Sequence, residues 1–385
     1  MKSKKIFYGK HFIDQKDKIS VFKSLNERLI SGGNVILNFE KKLSKYLGSK
    51  YAISCSSGTA ALHMIFTALN LKKTDSVIIP AINFVAVANI LSILKIKFYL
   101  ADVDKSSGQV SAQTIKNCIK KNKIKNLKVV VLSYLGGYVY DIENIIKLKK
   151  TNNFKLVEDS CHAFGSKYLY KKFYYKVGSS KHTDFSAFSF HPVKSITTGE
   201  GGLVTTNNKK FAEKIKIIRS HGIERSKNYW NYDIKYNGFN YRLSDINAAL
   251  GISQLKKVKK FLIKRKNIAQ TYNLNILQNK IIKKPFFDKN SSWHLYIIRI
   301  NFSNLKINRD TFIKYLNKKG IYPQIHYKPI YRFVRYKKYS KKKFPLSEKF
   351  FSECLSLPIY PSLKKKEVFD IIKHLENIIK KFKKN

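Results

Sequence analysis

Residues 186–202, SAFSFHPVKSITTGEGG, decide the reading of this chain. Phe188-Ser189-Phe190 has the apolar character of a buried strand end, and Thr197-Thr198-Gly199-Glu200-Gly201-Gly202 is a glycine-rich turn. Between them stands one lysine, Lys194. A lysine at the mouth of a buried strand loses hydration. Its pKa falls from roughly 10.4 towards neutrality, and the free amine becomes a nucleophile. A loop lysine in a lysine-rich chain is ordinarily a solvated surface residue, so the neighbouring segments must decide.

Upstream, strands and helices alternate. A strand over 51–55 runs into Ser56-Ser57-Gly58-Thr59 and a helix over 60–71. A hydroxyl-rich turn opening a helix offers free N–H groups and the positive dipole end to a phosphate, although the same residues also serve as a simple helix cap. Strands follow at 77–80, 97–101, 128–133 and 154–157, the last ending in Glu158-Asp159, with helices over 84–94, 114–121 and 142–150. Before them, apolar spacing predicts helices over 19–29 and 39–47. After Gly202 come a strand at 203–206, a helix over 211–219, an aperiodic loop over 223–238 and a long helix over 245–272. This alternation predicts an α/β fold: a mostly parallel sheet flanked by helices. Ligands in such sheets bind at the carboxyl ends of the strands, where Ser57, Phe84, Asp159 and Ser189 all fall. The remainder, with a strand at 293–300 and helices over 309–319 and 365–381, predicts a smaller C-terminal α+β domain. The division is placed at 1–255 and 256–385.

Composition sets bounds. With 385 residues, 44% of them hydrophobic, the chain has material for a full core. The 76 Lys+Arg against 24 Asp+Glu give a net charge of +52. Taken alone, that balance points to nucleic acid. The lysines, however, run evenly along the chain beside abundant Ile, Asn, Tyr and Phe, as a coding bias would place them, so no nucleic-acid partner is expected. The uncharged run 76–94 is interrupted by Pro80, Asn83 and Asn89 and reads as strand, turn and helix, not a membrane span. No apolar signal core opens the chain. Cys55, Cys118, Cys161 and Cys354 form no CxxC pair, which fits free thiols in a cytoplasmic protein without a bound metal.

Pyridoxal phosphate chemistry needs a Schiff-base lysine, an acid facing the pyridine nitrogen, a phosphate cradle and a ring-stacking group. Lys194, Asp159, Ser57-Gly58-Thr59 with Ser189, and Phe84 supply these four. His162 is placed to hydrogen-bond the cofactor's phenolic oxygen, or serves as a structural histidine.

The segments SSGTAAL (56–62), PAINFVAVAN (80–89), VEDSCHAFGS (157–166), FSFHPVKSITTGEGG (188–202), RSHG (219–222), NYRLSDINAALG (240–251) and IHYKPIY (325–331) resemble the DegT/DnrJ/EryC1/StrS sugar-nucleotide aminotransferases. The resemblance covers roughly residues 30–360, and its central and last blocks look closest to the pseudaminic-acid branch. It implies a fold-type-I, pyridoxal-phosphate-dependent transferase that forms a homodimer with shared active sites. Lys194 and Asp159 would be catalytic. Gly58, Thr59, Ser189 and, from the neighbouring subunit, Asn240 would hold the phosphate, while Phe84 stacks and His162 contacts the ring. His326 and Tyr327 would bind the substrate, a UDP-linked 4-keto-6-deoxy-N-acetylhexosamine aminated from glutamate. Asn83 departs from the Ser or Thr usual before the stacking residue. Two rivals remain at this point: a non-catalytic cofactor-binding regulator and a basic nucleic-acid-binding protein.

Overall fold

The computed structural model describes residues 5–228, 230–341 and 343–384. Its centre is a seven-stranded sheet built from β1 (Tyr51–Cys55), β2 (Ser76–Pro80), β3 (Lys97–Ala101), β4 (Leu127–Ser133), β5 (Lys155–Asp159), β6 (Phe185–Ser189) and β7 (Gly202–Thr206). The spatial order is β1-β7-β6-β5-β4-β2-β3. Five of the strands pair in parallel as β6-β5-β4-β2-β3, and β7 runs antiparallel to both β1 and β6. The expected α/β architecture is therefore present.

Strands covered on both faces need apolar residues at consecutive positions, and these strands have them. Ile78, Val130, Leu132, Leu156, Phe188 and Leu203 pack on one face with α2 (Asn34–Leu47), α5 (Ala112–Asn122), α6 (Ile142–Asn152) and α8 (Asp245–Asn275). Val77, Ile79, Val129, Val131, Val157, Phe185 and Val204 pack on the other with α3 (Gly58–Leu69), α4 (Ala86–Ile93) and α7 (Lys209–Arg219). The uncharged run 76–94 becomes β2, a turn and α4, and among the described residues no helix is long and apolar enough to cross a membrane.

A third core forms around a small antiparallel sheet of β8 (Ile282–Lys283), β9 (Tyr296–Ile300) and β10 (Cys354–Leu357). It is packed by α9 (Arg309–Lys318) and α10 (Lys365–Phe382). Helix α8 spans residue 255 without a break and supplies Val258 and Phe261 to the first core and Ile268 and Tyr272 to the third. The chain's beginning joins the same region: Ile6–Phe7 pairs in parallel with Ile321–Tyr322, and Ile6 lies in the third core.

Three local expectations shift. The helix expected over 19–29 is α1 (Gln15–Ser24), because Asp14 and Asp17 form a reciprocal capping box that starts it earlier. The stretch 223–238 carries a short antiparallel pair, Ile223–Arg225 with Tyr232–Ile234. The strand expected from 293 begins at Tyr296, since Trp293 adopts a φ of 49° that no strand accommodates.

Candidate active site

The carboxyl edge of the parallel strands forms the floor of a cavity of about 630 Å3. Strand β1 delivers Ser57, Gly58 and Thr59 to it, β2 delivers Asn83 and Phe84, β5 delivers Asp159, Cys161 and His162, and β6 delivers Ser189 and Lys194. From the far side come Gln324, His326, Tyr327 and Lys328, together with Tyr8. Ten of the eleven residues named for the site in the sequence thus face one space. Asn240 lies outside it: it is exposed and bridges to Ser220, away from its own chain's cavity.

The helix opening is tightly built. Ser57 Oγ accepts the Ala60 N–H at 3.0 Å, and the Ser57 carbonyl accepts that of Ala61, which leaves the N–H groups of Gly58 and Thr59 at the start of α3 pointing out of the helix. A Cβ on Gly58 would sit 2.9 Å from Ser189 Cβ and 3.1 Å from Cys161 Sγ. One on Gly202 would sit 2.1 Å from the Ser57 carbonyl oxygen, so the antiparallel β7 reaches this turn only as glycine. These close approaches shape a cradle of N–H and hydroxyl groups that fits a phosphate.

The lysine turn is pinned. Thr197 Oγ1 and the Thr198 N–H both donate to the Phe190 carbonyl, at 2.9 and 3.0 Å, and Asn247 of α8 holds the Thr198 carbonyl. Burial lowers the Lys194 pKa, opposed by the Asp159 carboxylate and assisted by Arg265. Although part of its surface opens to the cavity, the amine is surrounded by protein on its other sides. Burial likewise raises the Asp159 pKa, opposed by hydrogen bonding from Cys161, by the Lys194 charge and by Asn83. The Cys161 N–H lies 3.3 Å from Asp159 Oδ1. Asn83 Nδ2 is buried with no partner at full hydrogen-bond distance, yet stands close enough to favour the Asp159 anion. A buried carboxylate at the cavity floor, with amide donors that favour its anion, is a site prepared for a cationic ring nitrogen.

His162 has both nitrogens engaged. The Gly136 N–H donates to Nδ1 at 3.3 Å, which puts the imidazole proton on Nε2, 2.9 Å from the Tyr327 hydroxyl. The hydrogen of the Tyr327 hydroxyl is thereby left to point elsewhere. Burial, with smaller contributions from Lys194, pushes the His162 pKa well down and that of His326 to about 3, so both rings are neutral. Phe84 remains exposed over the cavity, its ring 5.8 Å from that of Tyr327. His326 is turned back, its Nδ1 2.8 Å from Ser356 Oγ.

Several cavity and near-cavity groups had no sequence signal. Tyr8 and Gln324 arrive from distant chain segments. His294 is buried with its ring 4.4 Å from that of His162 and its Nδ1 unpartnered. Glu158 is buried behind Asp159 and accepts from the Tyr134 hydroxyl at 2.8 Å, the Gly178 N–H at 3.3 Å and the Ser186 hydroxyl. The doublet Glu158-Asp159 hinted at this: alternation along a strand sends one carboxylate into the core as the other reaches the edge.

Lysine, buried acid and phosphate cradle at one sheet edge define a pyridoxal-phosphate enzyme of the aminotransferase class. The chain belongs to the DegT/DnrJ/EryC1/StrS aminotransferase family, whose model matches residues 12–376. It is 37% identical to the UDP-4-amino-4,6-dideoxy-N-acetyl-beta-L-altrosamine transaminase of Campylobacter jejuni (serotype O:23/36), across 98% of this chain and 99% of that one. It is 28% identical to the GDP-perosamine synthase of Caulobacter vibrioides, across 95% and 96%. Among solved structures it superposes on Helicobacter pylori PseC, an aminotransferase involved in pseudoaminic acid biosynthesis, with a TM-score of 0.91, 31% identity, and 98% and 100% coverage. The protein is a pyridoxal-phosphate-dependent sugar aminotransferase.

Proposed function

We propose that the enzyme transfers an amino group from glutamate to C4 of a UDP-linked 4-keto-6-deoxy-N-acetylhexosamine, in the cytoplasm, as a homodimer with shared sites. The observation that carries the chemistry is the meeting of Lys194, Asp159 and the α3 N-terminus in one cavity. The full-length similarity to the Campylobacter transaminase supports the sugar. The similarity to a GDP-perosamine synthase favours a second reading, a 4-keto sugar on another nucleotide.

When bound, pyridoxal phosphate supplies the electron sink that makes a C–H bond beside nitrogen labile. The residues around it do the rest. Gly58, Thr59 and Ser189 would hold the phosphate, joined by Asn240 of the second subunit. Asp159 would keep a proton on the ring nitrogen, and Phe84 would stack on the ring. Lys194 would anchor the cofactor between turnovers. Once displaced, its Nζ takes the proton from the Cα of glutamate and later returns one to C4 of the sugar. Desolvation suits that base, because it leaves more of the amine neutral near physiological pH. Tyr327 and His326 position the sugar nucleotide, Tyr327 through the hydroxyl hydrogen that His162 leaves available.

The test loads the enzyme in its pyridoxamine form and offers 4-keto sugars on UDP, GDP and dTDP. Return of the pyridoxal-form absorbance with the UDP-linked N-acetyl sugar is expected. Faster reaction of a GDP or dTDP sugar would select the second reading, and failure with every keto sugar would remove the sugar assignment.

A further inference from the structure

Arg265 of α8 is 1% exposed, and every hydrogen bond it makes goes to a backbone carbonyl. Nη1 donates to the carbonyls of Trp293 at 3.4 Å, His294 at 3.2 Å and Ile359 at 2.9 Å. Nη2 lies 3.5 Å from the carbonyl of Val193, the residue before Lys194, and Nε has no partner. Among the described residues no carboxylate offsets its charge, and burial alone moves its pKa, down to about 10. A buried cation without a counter-ion is costly, and neutral donors could satisfy the same carbonyls. The retained charge calls for a use.

We propose that Arg265 is a positioning residue for Lys194: its guanidinium fastens the lysine turn to carbonyls of the C-terminal region and sets an uncompensated positive charge beside the amine.

The charges around Lys194 make that useful. Asp159, at the end of β5, favours the ammonium form, while Arg265, from α8, opposes it; burial pushes the Cys161 thiol up and keeps it uncharged near neutral pH. His162, His294 and His326 also lie within electrostatic reach, but burial holds all three neutral. Among the described residues Arg265 is thus the fixed cation set against the pull of Asp159, and a neighbouring cation is an established way to free a lysine amine. Because the same guanidinium grips Trp293, His294 and Ile359, the setting of Lys194 depends on the C-terminal region being seated.

The inference rests on Lys194 being the reactive lysine, and the experiment separates the two. The full chain, freed of cofactor, is labelled competitively with acetic anhydride across about pH 6 to about pH 11, and Lys194 is read by peptide mass spectrometry against exposed Lys209. Arg265→Gln keeps N–H donors but no charge. It should move the Lys194 profile up by about half a pH unit or more, roughly a threefold loss of labelling at a fixed pH below the midpoint. Arg265→Lys should restore the parent profile, and Lys209 should not move in either. If Arg265→Gln does not fold, Arg265→Met makes the same neutralisation without a buried polar group. A folded neutral variant with an unmoved Lys194 profile overturns the inference alone. Borohydride reduction that leaves the pyridoxyl tag on another lysine overturns the lysine assignment and the inference with it.

Discussion

Replacing Asp159 by Asn changes one atom's identity and removes one charge. The side chain is 6% exposed, with the Cys161 N–H at 3.3 Å and the Asn83 amide and Lys194 around it, so water can supply little of what is lost. An amide cannot hold a proton on the ring nitrogen by charge. A preorganised electrostatic group in a dry site is worth about 100- to 1000-fold in rate, or about 2.7–4 kcal/mol of barrier. The cofactor-free fold should respond in the opposite sense. Burial raises the native pKa of Asp159, so its anion is a destabilising element whose cost appears as pH rises through that pKa. Cofactor-free Asp159→Asn should therefore melt no lower than the parent at low pH, and relatively higher as pH increases. The assay pairs single-turnover absorbance changes on adding glutamate, with cofactor saturating, with thermal melts of the cofactor-free chain. A rate within about threefold of the parent, with cofactor fully bound, would refute the role assigned to Asp159.

Gly58→Val should destabilise the fold by about 1–3 kcal/mol and weaken cofactor binding, because even its Cβ would crowd Ser189 and Cys161; unchanged Tm and cofactor Kd would count against the cradle. Burial depresses the pKa of His162, His294 and His326, so their contribution to stability is complete above about 6.5 and falls as pH drops, by about 1.4 kcal/mol per histidine per pH unit. Tm measured between about pH 6.5 and about pH 5 should decline, and less steeply in His326→Gln; a flat profile would contradict the burial argument. His326→Ala should raise KM for the sugar nucleotide while sparing the glutamate half-reaction, and equal damage to both halves would assign it a structural part. Mixed Lys194→Ala and Asn240→Asp subunits should regain activity, since one of the two heterodimer sites carries neither lesion; no recovery after confirmed subunit exchange would return Asn240 to its own chain.

The layout of the sheet was legible because each parallel strand is an apolar run ended by a small or polar residue, and the edge residues follow directly from that topology. Lys194, Asp159, Gly58 and Phe84 could be gathered from sequence alone, as each stands within a few residues of a strand end. Tyr8 could not, since it reaches the cavity through the pairing of Ile6–Phe7 with Ile321–Tyr322, and nor could His294, which stands in the turn ahead of β9; neither placement leaves a local period. Arg265 was hidden for a related reason: on a lysine-rich helix it looks like one more solvated cation, and only the carbonyls of Trp293, His294, Ile359 and Val193 distinguish it. Helix α1 starts earlier than its apolar spacing predicts, because the Asp14–Asp17 pair caps it.

The pairing of Ile6–Phe7 with Ile321–Tyr322 has a consequence for the order in which the molecule is made. Tyr8, whose carbonyl accepts the Ile359 N–H, faces the cavity beside that seam. On a ribosome, roughly three hundred residues separate the synthesis of these partners, or tens of seconds at about 5–20 residues per second. The central sheet can assemble within that interval, but the wall that Tyr8, His326 and Tyr327 share cannot. Nascent chains arrested before residue 321 should therefore present the phosphate cradle to solvent with its roof missing. The closed pocket is thus a late event of translation, with the segment around Tyr8 waiting for the segment around Ile321.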